Sequence, residues 1–237
     1  MENSSEKKKG ILVIPTLNEE ITIGQVLKKA KSKFKNEHIL VIDGNSKDKT
    51  LEIVKSQGIE YLSQNGNGKG TAMIETMQYA LKEGYDYICF IDGDLTYDFD
   101  DALKICKIME ENRNLAMIIG DRLRGEREKK AITSLNLIGN YLFSILISIF
   151  FFRPLYDTQS GLRAISLPFA KQYISKLNSE EFEIETELTI ETIKNNGHIV
   201  NIPIKYYCRP KGSITKLSSF RIGFRILKTI FKLRFYK

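Results

Sequence analysis

Residues 87–98 read YICFIDGDLTYD, and this stretch decides the fold. From Tyr87 to Ile91 the run is continuous in apolar residues, the pattern of a parallel strand covered on both faces. It stops at Asp92 and Asp94, with Gly93 between them and Asp98, Asp100 and Asp101 following. The acids therefore stand where the strand ends, and open α/β sheets take their ligands beyond those ends. Hard divalent cations want oxygen ligands, so the pair is a candidate metal site. An ordinary acidic turn is the alternative, because D-x-D patterns are common and one pair cannot fill an octahedral shell.

Upstream, the unit of strand and polar turn recurs. Gly10 to Ile14 reads as a strand stopped by Pro15, followed by the loop PTLNEE and a helix over 21–35, with apolar residues at Ile23, Val26, Leu27 and Ala30. His38–Ile42 is a second strand. It runs into Asp43-Gly44-Asn45-Ser46, then Asp48 and Thr50, before a helix around 49–57, which describes a βα unit facing a polar ligand. Tyr61-Leu62 is a short third strand. The loop QNGNGKGT over 64–71 precedes a helix over 71–83. Its glycines allow close backbone approach, and the unpaired N–H groups of a helix amino end suit a phosphate. It is no Walker sequence, since Gly70 follows Lys69; a sharp turn with a solvated lysine is the alternative. The first 100 residues thus alternate βαβαβαβ, a nucleotide-binding pattern without the G-x-G-x-x-G of dinucleotide sites.

Downstream, a helix is expected over 100–109 and a strand over 116–119. Gly120-Asp121-Arg122-Leu123-Arg124 follows, where Arg122 and Arg124 are candidates for holding an anion or, for at least one, a surface role. In 136–152, NLIGNYLFSILISIFFF, Asn136, Asn140, Ser144 and Ser148 form one narrow polar stripe on an otherwise apolar helix. A core helix or an interfacial helix reads this way. Asp157, Gln159 and Ser160 precede Gly161-Leu162-Arg163 and are able to complete a polar site. Phe169–Leu177 is expected to be helical. EEFEIETELTIETIK over 180–194 is an acidic helix whose glutamates are mostly expected in solvent, one of them able to orient a sugar hydroxyl or a cation from a cleft. Ile199–Tyr207 reads as an edge strand because of Pro203. The basic loop CRPKGSITK is able to close over phosphate.

The 237 residues suit one large domain, and 42% hydrophobic content suffices for its core. The 36 basic against 29 acidic side chains give a net charge of +7, concentrated late: from Arg209 to Lys237 there are nine Lys or Arg and no acid. This favours an anionic partner, whether phospholipid, phosphorylated ligand or nucleic acid. Nucleic acid is disfavoured, because no recognition motif accompanies the charge. Cys89 and Cys106 read as core thiols of a reduced cytosolic protein, and with Cys208 they have no metal-ligand spacing. Residues 1–9 look disordered and lack the apolar centre of a signal peptide. No uninterrupted apolar stretch reaches the 18 residues of a spanning helix, so membrane attachment is expected to be peripheral and cytosolic. Residues 218–237 carry that expectation: Arg221, Arg225, Lys228 and Lys232 share a helical face beside Phe220, Phe224, Leu227, Ile230 and Phe231, as on a helix lying in an anionic leaflet. Packing on its own domain or on a partner is the alternative.

From Ile11 to about Arg225 the chain resembles the family 2 glycosyltransferases of the GT-A fold, and within them the polyprenyl-phosphate (dolichyl-phosphate) hexose synthases. The resemblance rests on Pro15-Thr16-Leu17-Asn18-Glu19, Asp43-Gly44-Asn45-Ser46 with Asp48 and Thr50, and Gly68-Lys69-Gly70-Thr71-Ala72. It continues through Asp92-Gly93-Asp94, Gly120-Asp121-Arg122, Asp157 with Ser160-Gly161-Leu162-Arg163, and the late Arg209, Gly212 and Lys216. It implies a mostly parallel central sheet with helices on both faces in a catalytic domain over 10–217, its nucleotide-binding half 10–100 and its acceptor half 101–217, followed by the basic amphipathic helix.

By resemblance, Pro15, Asn18, Glu19 and Asp43, with Asn45 and Lys69, surround the nucleotide of a nucleotide-diphosphate sugar. Asp92 and Asp94 engage that donor and Mg2+ or Mn2+, while Arg122, Ser160, Arg209 and Lys216 neutralise donor or acceptor phosphate. Thr96 stands where many relatives carry a glutamine ligand, so the metal shell is expected to be completed by water, diphosphate or another residue. Many relatives also append spanning helices. A dolichyl or polyprenyl phosphate acceptor is already largely ionised near neutral pH, its second pKa being about 6, so inverting attack needs no protein base. Transfer to a hydroxyl of a glycolipid or polysaccharide is a second reading and needs a carboxylate base, Asp157 or an acid in 180–187. A nucleotide-sugar-binding protein without turnover and a nucleotidyltransferase are further alternatives.

Overall fold

The computed structural model describes residues 9–34, 38–213 and 219–236; the expected disordered tail, apart from Lys9, and Lys216 lie outside them. Among the described residues one sheet runs through β1 (Gly10–Thr16), β2 (His38–Asp43), β3 (Glu60–Ser63), β4 (Tyr87–Phe90), β5 (Leu115–Asp121), β6 (Arg163–Ser166) and β7 (His198–Pro203), in the order β3-β2-β1-β4-β6-β5-β7. Strands β1 to β4 are mutually parallel, with Val13 opposite both Leu40 and Phe90. The helices are α1 (Ile23–Lys33), α2 (Thr50–Ser56), α3 (Lys69–Lys82), α4 (Phe99–Glu111), α5 (Ser134–Phe151), α6 (Leu167–Ala170), α7 (Ile184–Lys194) and α8 (Ser219–Phe235).

The continuous apolar runs follow from a sheet buried on both sides. Leu12, Ile14, Cys89 and Ile91 pack against α1 and α4, while Ile11, Val13, Ile88 and Phe90 pack on the other face against α3, α6 and α7. Successive residues of a strand point to opposite faces, so both must be apolar when both are covered. Cys89 and Cys106 lie in the first of these cores, as their setting predicts.

Strand β6 has no counterpart in the sequence reading. It is antiparallel to both neighbours, β4 and β5. Its four residues sit between a polar loop and a short helix, too few to show a period. An antiparallel strand enters the sheet at the edge where its parallel neighbours leave it. The loop before β6, residues 157–162, therefore joins the loops after β1, β2, β4 and β5.

Several local expectations are corrected. Strand β1 continues through Pro15 to Thr16. The main chain of Pro15 faces the same side as that of Val13, whose carbonyl accepts from Ile91 N, and β4 has ended at Phe90, so no ladder donor is missed there. The stretch 169–177 is not one helix but α6 followed by a 3-10 turn at Ile174–Lys176. The edge strand β7 stops at Pro203, and Tyr206 instead bridges to Tyr97 and Arg127.

The acidic helix α7 is the largest correction. Glu183, Glu185, Glu187 and Glu191 are all buried, against the expectation of solvated acids. Each has a compensating partner. Glu183 receives Arg225 of α8, Glu185 receives Lys69, Glu187 accepts from the backbone N–H groups of Asn178 and Ser179, and Glu191 pairs with Lys194. Buried charge is tolerated when it is paired and hydrogen-bonded in this way.

Helix α5 is 18 residues long, about 27 Å at 1.5 Å per residue. By length and composition alone it would suffice to cross a membrane, contrary to the count of uninterrupted apolar residues, because its asparagines and serines carry no charge. Only Ser144 and Ile147 of it are buried. The polar stripe faces the protein and the apolar side faces outward. Helix α8 docks beside it through Ile226 and Ile230, which join Ile147, Leu155, Ile190 and Ile193 in a third core.

Candidate active site

Strands ending at the shared edge deliver polar groups to it, and local structure fixes each. After β2, the buried Asp43 accepts from Ser46 N at 3.0 Å and Ser46 Oγ at 2.6 Å. Ser46 Oγ in turn accepts from Asn18 N at 2.9 Å, while Asn18 Oδ1 accepts from Lys47 N at 2.7 Å. Asn18 and Asn45 both adopt positive φ, the left-handed conformation asparagine tolerates better than most residues. The turns after β1 and β2 are thus one interlocked loop pair, with Pro15 at its base and Asn45 donating to Gln64 O at 3.2 Å.

After β4 the acids divide into two groups. Asp98 caps α4 by accepting from Asp100 N at 2.8 Å, and Asp100 and Asp101 occupy its first turn, where negative charge is favoured. Asp92 and Asp94 are left for the site. Asp94 Oδ1 accepts from Thr96 N at 3.1 Å and Thr96 Oγ1 at 2.6 Å, so Thr96 orients the carboxylate on which its place in the motif bears. Asp94 Oδ2 meets Arg209 at 2.6 Å, and the same guanidinium lies 3.8 Å from Glu19. Asp92 Oδ1 meets Lys69 Nζ at 2.8 Å. A Cβ on Gly161 would stand 2.6 Å from Asp92 Oδ2, which explains the glycine in the loop before β6.

Burial is the largest influence on Asp92 and pushes its pKa up. Lys69, then Arg209 and Arg122, outweigh it and hold the carboxyl below its ordinary range. Lys69 is itself pushed down by burial but raised overall by Asp92 and Glu185. The centre therefore keeps both signs of charge at neutral pH.

The third group comes from β5 and the loop before β6. Arg122 donates from Nε and Nη2 to Asp157 at 2.8 and 3.0 Å, and its backbone N donates to the same carboxylate at 3.0 Å. Burial alone would lower the Arg122 pKa, and Asp157 raises it well above the usual value. Arg122 thus engages both Asp157 oxygens, Gln159 N adds a second bond to Oδ1 at 3.2 Å, and Asp157 serves to hold Arg122. Arg124 rests on Asp121, the last residue of β5, and on the Tyr156 ring. Ser160 is buried with its Oγ 3.5 Å from Tyr97 OH.

The glycine loop behaves differently from its sequence expectation. Gly70 N and Thr71 N both donate to Glu180 O, at 2.8 and 3.3 Å, so these amides at the start of α3 are spent on the chain itself. A Cβ at Gly70 would collide with Ser179 O, and the tight fit needs glycine there. What the loop delivers to the site is Lys69.

Three further residues take part. Tyr97, inside the opening motif, accepts from Gly161 N at 2.8 Å and stacks edge-on with Tyr206. Arg163 is fully buried and donates to the carbonyls of Thr158, Ser160 and Glu185, so it binds the 157–162 loop to α7. Glu185 completes Lys69 at 2.8 Å. The missed signal for Glu185 was the absence of a clean polar face in 184–193, where threonines and glutamates occur all round the helix.

Asp92 and Asp94 are hard oxygen donors at a strand end, the donor type a divalent cation takes, and in this structure they are paired with Lys69 and Arg209. Among the described residues no third His, Cys, Asp or Glu joins them as a metal-binding group.

Comparison with known proteins identifies the family. The profile described as Glycosyl transferase family 2 matches residues 11–173. Glycosyltransferase AglJ of Haloferax volcanii is 33% identical over 216 residues, covering 90% of this chain and 67% of its own. A UDP-N-acetylglucosamine–dolichyl-phosphate N-acetylglucosaminyltransferase of Methanococcus voltae is 26% identical, covering 95% of this chain and 96% of its own. Glucosyl-3-phosphoglycerate synthase of Mycobacterium tuberculosis, solved with Mn2+ and UDP-glucose, superposes with a TM-score of 0.74 at 18% identity, covering 96% of this chain and 79% of that one. That last likeness is one of fold. With the profile spanning most of the sheet and its strand-end loops, the chain belongs to glycosyl transferase family 2.

Proposed function

We propose that this glycosyltransferase moves a hexosyl group from a nucleoside diphosphate sugar to a dolichyl or polyprenyl phosphate at a membrane surface. The observation that carries the reading is the attachment of an outward-facing apolar helix to a site loop. Ser144 Oγ of α5 accepts from Thr158 N at 3.1 Å, and Ser148 Oγ accepts from Leu155 N at 3.0 Å. The loop that presents Asp157, Ser160 and Gly161 to the site thus hangs on a helix whose Leu135, Ile138, Leu142, Ile145 and Ile149 are all exposed. Basic α8 lies beside it. A lipid phosphate held at such a surface would have its headgroup beside Arg122 and Arg209. The name of the Methanococcus voltae relative agrees with such an acceptor.

The interlocked turns of Asn18 and Asp43 would receive the nucleoside. Asp92 and Asp94 would hold Mg2+ or Mn2+ together with the diphosphate, and the metal would supply neutralising charge for the departing group. Arg122, Arg209 and Lys216 would hold the acceptor phosphate, whose ionised oxygen forms the new bond to the anomeric carbon as the bond to the diphosphate breaks. The engagement of both Asp157 oxygens agrees with a nucleophile that needs no base.

The test is a matrix of GDP-mannose, UDP-glucose and UDP-N-acetylglucosamine against dolichyl phosphate and a hydroxyl-bearing glycolipid. The reading expects label in dolichyl phosphate, lost on chelation and lowered by about 10²-fold or more in Asp94→Asn. Transfer to the hydroxyl acceptor alone would overturn it.

A further inference from the structure

We infer that the chain carries a second lipid site: a pocket at the carboxyl end of α5 takes the phosphate headgroup of an anionic phospholipid, whose acyl chains follow the exposed side of the helix. The inference rests on the lipid-facing reading of α5 and on neither the sugar donor nor the acceptor. The pocket has a volume of about 300 Å³ and lies between the end of α5, the end of α7 and the start of β7. Leu155, Ile193 and Ile199 give it an apolar wall, while Arg153, Asn196 and His198 give it a polar one. None of its described lining residues is acidic.

The polar groups are uncommitted. Among the described residues the side chains of Arg153, Asn196 and His198 have no hydrogen-bond or ion-pair partner, whereas Arg122, Arg163, Arg209 and Arg225 are each held by an acid or by carbonyls. A guanidinium with no acid beside it, an amide and an imidazole together offer donors matched to phosphate oxygens. A cation would find no counter-charge there, and a neutral ligand would leave that of Arg153 unmet. The rim then selects an amphiphile among anions. The exposed stripe of Leu135, Ile138, Leu142, Ile145 and Ile149 ends at Phe152, which is 84% exposed, and the pocket begins at the next residue. Phe152 caps α5 in the left-handed conformation at φ 53°, which bulky side chains rarely adopt. That turn sets an apolar ring on the stripe and a cation in the pocket side by side.

The pocket is distinct from the catalytic centre. His198 opens β7 opposite Leu115, and Pro203 closes it opposite Asp121 at the catalytic edge, so the pocket stands at the other end of the sheet. Residues 153–157 join the two. Leu155 N donates to Ser148 Oγ, and Asn201 accepts from Tyr156 N and donates to Asp157 O, each at 3.3 Å. A headgroup in the pocket would therefore seat α5 on the leaflet at the end away from the reaction.

The experiment titrates the full chain by calorimetry with dihexanoyl phosphatidylglycerol below its critical micelle concentration, beside dihexanoyl phosphatidylcholine and inorganic phosphate. Wild type should bind one phosphatidylglycerol, with the other two at least about tenfold weaker. Arg153→Gln, at an exposed position, should weaken phosphatidylglycerol by about tenfold, the loss of one charge-assisted contact. Lys228→Gln on α8 should leave this affinity unchanged while weakening binding to anionic vesicles. The His198 ring resonances should move during the wild-type titration. Inorganic phosphate bound as tightly as the lipid would make this a plain anion site and overturn the inference. Equal affinity for the zwitterionic lipid, equal affinity in Arg153→Gln, or no saturable binding would overturn it as well. If wild type ignores anionic vesicles, the lipid-facing reading of α5 fails by itself, and the titration with monomeric lipid still decides the pocket.

Discussion

Helices α5 and α7 pack against one another in the third core and reverse the usual relation between composition and burial. In α7, every residue from Ile184 to Ile193 is buried, including Glu185, Glu187 and Glu191. In α5, with no charged residue, two of 18 are buried. Hydropathy alone would exchange their places. The difference teaches that burial here follows available partners: α7 has cations and backbone N–H groups arranged around its acids, and α5 meets the domain through its serine stripe and Ile147 while Leu135, Ile138, Leu142, Ile145 and Ile149 stay exposed. Large apolar surface left outside marks a surface made for an apolar neighbour.

The sharpest way to break this comparison is to remove a partner on the α7 side. Arg163→Met should cost about 3 kcal/mol or more in denaturant unfolding, because the carbonyls of Thr158, Ser160 and Glu185 lose their buried donor together. A smaller loss would mean that these carbonyls reach solvent. Glu187→Ala should cost about 2 kcal/mol by orphaning Asn178 N and Ser179 N. An unchanged unfolding midpoint would refute its role as a cap for that turn.

On the α5 side the effect should move from stability to partition. Leu142→Ser, at a residue 58% exposed, should alter unfolding by no more than about 0.5 kcal/mol yet weaken binding to vesicles containing anionic lipid by about tenfold. Equal vesicle binding by both proteins would assign this face to another neighbour. The smallest expected effect is that of Lys228→Gln on α8, about 1 kcal/mol of vesicle affinity at low salt, shrinking as ionic strength rises. Salt-independent binding would separate α8 from the lipid-facing surface.

What was legible in the sequence was whatever repeats. The strand-then-polar-turn unit gave β1, β2 and β4, their two-sided burial, and the strand-end position of Asp43, Asp92 and Asp94. What stayed hidden depends on partners distant in sequence. Strand β6 is too short to have a period and takes its direction from neighbours about 40 and 75 residues away. The buried state of Glu185 depends on Lys69, and the amides of the glycine loop are consumed by a carbonyl at residue 180. Arg225 read as a lipid-facing cation because its spacing matched Arg221 and Lys228, whereas the acid it meets, Glu183, immediately precedes α7.

The insertion of β6 beside β4 also has a cost in time. Tyr87–Phe90 finds its second neighbour only when Arg163–Ser166 has been made. At translation speeds of 5–20 residues per second, the open edge of β4 waits about 4–15 s on the ribosome. Its residues are among the most apolar in the chain, so this interval is when nascent copies are most exposed to edge-to-edge pairing, and when a chaperone would have most to protect.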